Sequence, residues 1–388
     1  MKGRIQHKPT ILQVVPSLNS GGVERGTVEI SEAIVKAGMK SIVISNGGTL
    51  ASRIMDQGGK HILLDVSTKN PIKIYRNIKK IKQVIIENEV DLVHARSRAP
   101  AWSCFKACSE LNIPFITTFH GSYSQNFFKK HYNKVMTLGK VVIAVSDYIS
   151  EYINKHFPKA KDKIIIIHRG VDTEHFNATK IPPQRLENAI INLNIKNIQD
   201  PKHRNKPIIV LPARITRWKG QNLFIEALAK LENKEFHAVI LGDTKHHERY
   251  YKELNELVIK NDLSKQVNFA SHLHDMPAVY AVSDIIIVPS LRPEAFGRVV
   301  IEAQSMEKIV IASNIGGARE TIIDKETGFL FEPGSVESLA KTLEEVLHMS
   351  KDEKDRIRKN AREHVIENFS LEKMRFMTIQ VYRQILNV

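Results

Sequence analysis

Cysteine is nearly absent from this sequence, and its scarcity excludes two classes of site. The 388 residues contain two cysteines, Cys104 and Cys108, four positions apart in a segment with helical periodicity. No second pair of ligands accompanies them at the spacing of a zinc site, and disulfide-stabilised folds are shorter and richer in cysteine. We therefore expect two small buried residues at these positions.

Long apolar runs are also missing. No stretch approaches the roughly 18 consecutive apolar residues that a membrane-spanning helix needs. The first apolar run, at residues 11–15, is too short for the core of a secretion signal, and it stops at Pro16. The sequence therefore predicts a cytoplasmic protein, with a peripheral position at the inner face of the cytoplasmic membrane left open.

Acidic residues are too few to balance the basic ones. Lysine and arginine number 57 against 42 aspartates and glutamates, a formal net charge of +15. Such an excess suits nucleic acid, an anionic membrane or a polyphosphate substrate, and a coding bias towards lysine would also produce it. Aromatic residues make up 7% and are not interleaved with the basic runs. We therefore expect no nucleic-acid partner.

Short apolar segments alternate with helical segments along the chain, which is typical of parallel sheets built from βα units. Two series of such units flank residues 173–206, which are rich in proline and asparagine. We therefore predict an α/β protein with one domain at residues 1–185 and a second at 186–370. The predicted strands are at residues 11–15, 41–45, 92–94, 115–119, 141–145, 207–211, 238–241, 285–288 and 309–312.

The segment from Glu294 to Glu302 carries the strongest functional signal. Its two carboxylates flank an apolar step, and a helix is predicted from Gly297 onward. At 100° per residue, Glu302 lies on a helix face that still looks back towards the helix start. The first-turn amides near Phe296, Gly297 and Arg298 form a place for phosphate between the two acids. A helix cap and a solvated face are the structural alternative.

Polar residues and glycines also follow several other predicted strands, which is the edge where open α/β sheets bind ligands. Two cations after the strand at 207–211 can neutralise a departing diphosphate, and paired arginines in the first half suit an anionic acceptor. Surface ion pairs are the alternative for these basic residues. The positions are Gly21, Gly22, Arg96, Arg98, His120, Arg214, Lys219 and Gly242.

Taken together, these motifs resemble the retaining GT4 glycosyltransferases of the GT-B fold. The segment from Glu294 to Glu302 is similar to the Glu-x7-Glu motif of that family, and Arg214 to Gly220 is similar to its Arg-x4-Lys-Gly pattern. The resemblance implies two Rossmann-like, doubly wound domains that face each other across a cleft. It also implies that the final helix, at residues 371–388, packs back on the first domain.

The resemblance assigns roles residue by residue. It implies that Glu294 binds the hexose hydroxyls, that Glu302 binds the ribose, and that no metal or other cofactor takes part. Arg298 is a local departure, because many relatives carry an aliphatic residue there. The catalytic set is His120, Arg214, Lys219 and Glu294; the donor set is Gly21, Gly22, Gly242, Phe296, Gly297, Arg298 and Glu302; and the acceptor pair is Arg96 and Arg98.

The predicted function is hexosyl transfer from a nucleotide-diphosphate sugar. The resemblance is nearest to bacterial lipopolysaccharide core mannosyltransferases, which implies GDP-mannose as donor and a cell-envelope glycolipid as acceptor. UDP-glucose and UDP-N-acetylglucosamine are alternative donors. A nucleotide-sugar epimerase of the same fold and a nucleic-acid-binding protein are the rival functions.

A basic helix at residues 72–87 suggests a membrane partner. Ile74, Ile78, Ile81 and Ile85 form a stripe at helical spacing, which indicates core packing, and lysines and arginine crowd the remaining faces. A second run places Phe127 and Phe128 beside Lys129 and Lys130. Contact with an anionic membrane and a solvated basic face are both open at this point.

Overall fold

The computed structural model describes residues 8–19, 21–68, 70–123, 126–195, 206–243, 247–271 and 273–388, without the side chains of Phe127 and Phe128. The chain divides into two compact units. The first comprises residues 1–168 and the final helix, and the second runs from Arg169 to Ser370. Each unit is a parallel sheet with flanking helices, so the predicted α/β fold with two Rossmann-like domains is confirmed.

The first unit contains a seven-stranded parallel sheet in the order β3-β2-β1-β4-β5-β6-β7. Its strands are β1 (Thr10–Val14), β2 (Lys40–Ser45), β3 (Lys60–Leu63), β4 (Leu92–Ala95), β5 (Phe115–Phe119), β6 (Val141–Ala144) and β7 (Ile164–Ile166). Its helices are α1 (Gly22–Lys36), α2 (Ala51–Asp56), α3 (Pro71–Glu87), α4 (Arg98–Leu111), α5 (Phe127–Asn133), α6 (Asp147–His156) and α15 (Leu371–Leu386). Short 3-10 helices occupy Lys134–Thr137 and Pro158–Lys163.

The second unit contains a six-stranded parallel sheet in the order β10-β9-β8-β11-β12-β13. Its strands are β8 (Ile208–Pro212), β9 (His237–Leu241), β10 (Val267–Ala270), β11 (Ile285–Val288), β12 (Ile309–Ser313) and β13 (Phe329–Phe331). Its helices are α7 (Pro183–Asn192), α8 (Gln221–Lys230), α9 (Glu248–Lys260), α10 (Met276–Val282), α11 (Arg298–Ser305), α12 (Ala318–Thr321), α13 (Val336–His348) and α14 (Lys351–Phe369). Short 3-10 helices occupy Ala178–Lys180 and Arg217–Lys219.

Apolar residues on both faces explain why the central strands of the second unit read as continuous hydrophobic runs. Along β8, Ile209 and Leu211 belong to one core cluster, whereas Ile208 and Val210 belong to another. Because successive strand side chains point to opposite faces, the two clusters lie on the two sides of the sheet. Helices therefore cover both faces, and functional loops are confined to the sheet's ends.

The order of strands fixes where those loops meet. In the second unit, the chain runs outward from β8 through β9 and then returns to β11 on the other side of β8. The loops that follow β8 and β11 leave neighbouring strands in opposite directions, which is the topological switch point where open α/β sheets bind ligands. In the first unit, β1 and β4 form the corresponding pair.

The boundary between the units differs from the prediction. We expected residues up to 185 in the first domain, but the second unit begins at Arg169. Val171, Phe176 and Ile181 are buried in a core cluster of the second unit, and the Val171 amide donates to the Phe369 carbonyl at 2.9 Å. These apolar side chains anchor a segment whose proline-rich continuation resembles a linker.

The final helix α15 belongs to the first unit and is attached to it by a buried polar network. The Tyr382 hydroxyl lies 2.7 Å from His94 Nδ1 and also bonds the Arg96 guanidinium. The second imidazole nitrogen of His94 lies 2.7 Å from the Thr118 hydroxyl. Burial, followed by the charge of Arg96, lowers the pKa of His94 well below its usual range, so this imidazole stays neutral.

Replacing Tyr382 with phenylalanine tests this attachment. The variant keeps the packed ring but leaves two buried polar groups without the hydroxyl, which typically costs about 1–3 kcal/mol of stability. We expect a clear fall in melting temperature. The control is Tyr75→Phe, because Tyr75 is 62% exposed and its loss should change stability by less than about 0.5 kcal/mol. Equal melting temperatures for the two variants would contradict a stabilising role for the network.

Candidate active site

A lysine–glutamate ion pair joins the two loops at the switch point of the second unit. Lys219 Nζ donates to Glu294 Oε1 at 2.6 Å, and the two side chains are 13% and 22% exposed. The Ser290 hydroxyl donates to the same carboxylate oxygen. Lys219 Nζ also lies 4.4 Å from the centre of the Trp218 ring. The cation and the acid that were both predicted to bind the nucleotide sugar are therefore in direct contact.

The backbone around this pair requires glycine at a defined position. Gly220 has φ +74° and is the N-cap of α8, and a Cβ atom there would lie 2.0 Å from the Pro289 carbonyl oxygen. The Leu291 amide donates to the Trp218 carbonyl at 2.7 Å, which ties the two loops together. A side chain at position 220 would therefore push the loops apart.

A third loop, which the sequence reasoning missed, supports Glu294 from behind. Gly316 and Gly317 follow β12, and the Gly317 amide donates to the Glu294 carbonyl at 2.9 Å. A Cβ atom on Gly316 would lie 2.5 Å from that carbonyl oxygen, and one on Gly317 would lie 2.4 Å from the Phe296 Cα. Two consecutive glycines in the loop after a buried strand were the available signal for this close approach.

Arg214 and Gly242 lie at the same edge of the sheet. The side chain of Arg214 is exposed. The backbone carbonyl of Arg214 accepts a hydrogen bond of 2.8 Å from the side-chain amide of the buried Gln221. Gly242 follows β9, where a Cβ atom would lie 2.2 Å from the Ala213 carbonyl oxygen. The Gly242 position therefore has a structural reason for glycine, in addition to the donor contact that the resemblance implies.

Glu302 lies on α11 and faces the first residue of that helix. Its Oε1 is 3.5 Å from Arg298 Nε, and its Oε2 accepts a hydrogen bond of 3.1 Å from the Tyr280 hydroxyl. Glu302 is 8% exposed. As predicted from helical spacing, the carboxylate is directed towards the start of the helix, where Arg298 supplies a cation.

The start of α11 combines an unusual backbone with a buried anchor. Gly297 has φ +82° and precedes the first helical residue, Arg298. Phe296 is 3% exposed and packs edge-to-face on Phe369, with ring centres 5.6 Å apart. Phe296 is therefore a core residue that fixes the entry into the helix, and only its backbone is available for a donor contact.

In the first unit, the predicted glycines follow β1 and the predicted histidine follows β5, with β4 between these two strands. Gly21 caps α1, and its carbonyl accepts from the Arg25 amide at 3.0 Å, while Gly22 is the first helical residue. His120 follows β5 directly and is partly exposed. Because their strands share the carboxyl edge of one parallel sheet, Gly21 and His120 lie at the edge expected for a ligand.

The two candidate acceptor arginines have different environments, and one assignment was wrong. Arg96 is 3% exposed and belongs to the Tyr382 network, so its guanidinium stabilises the fold and is not available to an acceptor. Arg98 is partly exposed, donates to Asn133 Oδ1 at 3.0 Å and stacks over the Tyr123 ring at 4.0 Å. Both arginines follow β4, so their position after a strand did not predict that Arg96 is buried and Arg98 is partly exposed.

The comparisons with known proteins identify the family. The sequence pattern of Glycosyl transferases group 1 matches residues 194–364, and that of Glycosyltransferase Family 4 matches residues 20–175. The crystal structure of a glycosyltransferase from Rickettsia africae ESF-5 is 41% identical, covers 98% of this chain and 99% of its own, and superimposes with a TM-score of 0.88. The chain belongs to the group 1 glycosyltransferases.

Other relatives of this glycosyltransferase differ among themselves in function. A lipopolysaccharide core biosynthesis mannosyltransferase of Rhizobium leguminosarum is 27% identical over 229 residues, which cover 57% of this chain and 60% of the relative. The trehalose synthase of Pyrococcus furiosus is 26% identical over 339 residues, covering 82% and 74%. The family and the enzyme class are therefore established, whereas the donor and the acceptor are not.

A matched pair of glycine variants tests the support behind Glu294. Gly316 and Gly334 both have positive φ, at +59° and +78°, so alanine at either position carries a backbone cost of about 1–2 kcal/mol. Nothing lies within 4 Å of a Cβ atom on Gly334, whereas Gly316 faces the Glu294 backbone. We expect Gly316→Ala to lower the melting temperature and nucleotide-sugar binding more than Gly334→Ala. Equal losses would show that the contact with Glu294 is unimportant.

Proposed function

We propose that this glycosyltransferase moves a hexose from a nucleotide-diphosphate sugar to a glycolipid of the cell envelope, with retention of anomeric configuration. The observation that carries the proposal is the contact between Lys219 and Glu294 at the switch point of the second unit. A cation for the diphosphate and a carboxylate for sugar hydroxyls stand side by side there. Glu302 and the start of α11 supply a second acid and a set of first-turn amides.

Each group has a definite task in this proposal. Lys219 and Arg214 stabilise the negative charge that develops on the departing diphosphate, and the first-turn amides of α11 bind its oxygens. Glu294 accepts hydrogen bonds from hexose hydroxyls and Glu302 from the ribose. Ser290 orients Glu294, and Tyr280 orients Glu302.

The transfer step needs no protein nucleophile. The bond between the anomeric carbon and the diphosphate oxygen breaks, and the acceptor oxygen forms its bond on the same face. The acceptor proton passes to the departing phosphate. We assign acceptor binding to the first unit, where Arg98 and His120 lie beyond the carboxyl ends of its strands.

Metal independence is part of the proposal. The cations Lys219 and Arg214 neutralise the diphosphate, and the sequence around them has no paired aspartates of the Asp-x-Asp type that would hold a divalent ion. Two fixed positive charges would then do the electrostatic work that Mg²⁺ or Mn²⁺ does elsewhere.

GDP-mannose is the proposed donor, and a glycolipid such as lipopolysaccharide core is the proposed acceptor. The mannosyltransferase of Rhizobium leguminosarum supports this choice through its sequence similarity. UDP-glucose and UDP-N-acetylglucosamine remain the alternative donors.

An anionic membrane is the proposed location of that acceptor. Within the described ranges, no helix is both long and apolar enough to cross a bilayer. On α3, Ile81 and Ile85 are buried as the stripe predicted, while Ile72 and Tyr75 are 65% and 62% exposed. The exposed basic residues that accompany them are Lys73, Arg76, Lys79 and Lys80. Exposed apolar and basic side chains on one helix suit a membrane surface.

Donor binding and turnover test the proposed reaction. A donor at 100 times its Kd stabilises the fold by about 2.7 kcal/mol, so a thermal shift ranks GDP-mannose against the two UDP-sugars. With the preferred donor, Lys219→Ala and Glu294→Gln should each lower kcat/KM by roughly 10²–10³. Lys230→Ala is the matched control, since Lys230 is 51% exposed and pairs with Glu337.

Four outcomes of activity and binding measurements would each bear against part of the proposal. Wild-type turnover in both site variants would remove the roles of Lys219 and Glu294. Preference for a UDP-sugar would refute GDP-mannose as the donor and would leave the proposed hexosyl transfer unaffected. Activity abolished by excess EDTA and restored by Mg²⁺ or Mn²⁺ would refute metal independence. Isomerisation of the donor without transfer would indicate the epimerase.

Vesicle binding tests the membrane proposal. Each basic residue near an anionic surface contributes about 1 kcal/mol, so Lys73→Glu, Lys79→Glu and Lys80→Glu combined should abolish co-sedimentation with anionic vesicles. The control combines Lys252→Glu, Lys260→Glu and Lys265→Glu, three exposed lysines of the second unit with the same change in net charge. Binding of the wild type should weaken as added salt shortens the Debye length. Equal recovery with neutral and anionic vesicles would refute membrane contact.

A further inference from the structure

A basic cavity lies in the first unit, and none of the residues assigned to transfer lines it. It has a volume of about 380 Å³ and lies between the helix α5 with its 3-10 continuation and the chain that follows α6. The lining residues precede the amino ends of β6 and β7, whereas His120 follows the carboxyl end of β5. The lining residues are therefore distinct from the residues assigned to transfer, of which Arg98 reaches Asn133, beside Lys134.

All of the ionisable side chains that line this cavity are basic. They are Lys130, His131, Lys134, His156 and Lys159, and no described carboxylate joins them. Burial, followed by the positive charges of Lys155 and Lys130, lowers the pKa of His156. Like charges gathered in a concave surface repel one another and attract an anion. The described lining therefore supplies no negative charge, and an anionic ligand would balance the positive charges.

Aromatic neighbours hold the two imidazoles of the cavity in place. The His131 ring stacks on Trp102 with an interplanar angle of 22°, and the His156 ring lies 4.6 Å from the ring of Tyr152. The Tyr123 amide in turn donates to the Tyr152 hydroxyl at 3.0 Å. Fixed donors lose less entropy when they bind a ligand than mobile ones do. Phe157, which is 8% exposed, adds an apolar wall.

We propose that this cavity binds a phosphate ester, with Lys130, Lys134 and Lys159 around the phosphate and Phe157 against its apolar stem. Lysine ammonium groups and imidazole N–H groups are donors that match phosphate oxygens, and the volume exceeds that of phosphate alone. The ester comes either from an acidic phospholipid or from a small water-soluble molecule. The site goes beyond glycosyl transfer, because none of its residues belongs to the proposed donor or acceptor sets.

Binding of glycerol 3-phosphate to the full-length protein tests the proposal. Lys130→Gln, Lys134→Gln and Lys159→Gln combined should weaken calorimetric affinity at least about tenfold, because three charge-assisted contacts are lost. The control combines Lys252→Gln, Lys260→Gln and Lys265→Gln and should bind like the wild type. The imidazole resonances of His156, assigned with His156→Gln, should show a rise in pKa when the ligand binds, because the anion offsets the neighbouring lysines.

Vesicles distinguish the two sources of the ester. If phospholipid is the source, vesicles of phosphatidic acid should bind the wild type more tightly than the cavity variant, and glycerol 3-phosphate should compete. If the source is soluble, glycerol 3-phosphate binds and the two proteins bind those vesicles equally. No saturable binding of glycerol 3-phosphate below about 10 mM, or equal affinity for wild type and cavity variant, would overturn the proposal. Loss of transfer activity is not a readout, so failure here leaves the proposed reaction untouched.

Discussion

The ion pair between Lys219 and Glu294 is the contact on which the arrangement of the second unit's switch point depends. Two unit charges about 4 Å apart attract by about 1 kcal/mol in water and about 4 kcal/mol at an effective dielectric constant of 20. The Lys219–Glu294 pair is mostly shielded from solvent, so its attraction exceeds that of a fully exposed pair and is reduced by the cost of desolvation. Its role is geometric, since it holds the loops after β8 and β11 together. Gly220 provides the room for that approach, and Gly316 lets the loop after β12 reach Glu294.

Interior strands were predictable from the sequence, and edge strands were not. Each of the nine predicted strands corresponds to an interior strand of one of the two sheets, where both faces are buried and the residues form continuous apolar runs. The missed strands β3, β7, β10 and β13 are the four sheet edges. They are three or four residues long, and β3 is nowhere fully buried. Such short strands contain too few apolar residues for hydrophobic periodicity to identify them.

The site was predicted best where local sequence determines local geometry. Helical spacing alone directs Glu302 towards Arg298, because residues four apart lie on one helix face. Long-range packing decided the remainder. The burial of Arg96 depends on Tyr382, which lies nearly three hundred residues away in the chain. Likewise, Gly316 and Gly317 support Glu294 through contacts between loops; the glycine pair signals a close approach, but the local sequence does not show which loop is approached.

The attachment of α15 to the first unit has a consequence for the order of folding during synthesis. The ribosome releases residues 1–168 before the second unit, but the helix that completes their core emerges only after the second unit. About 200 residues of the second unit come in between, which at 5–20 residues per second takes roughly 10–40 s. Throughout that interval, His94 and Arg96 lack their hydrogen-bond partner, the Tyr382 hydroxyl. The first unit is therefore completed only after the second unit has had time to fold.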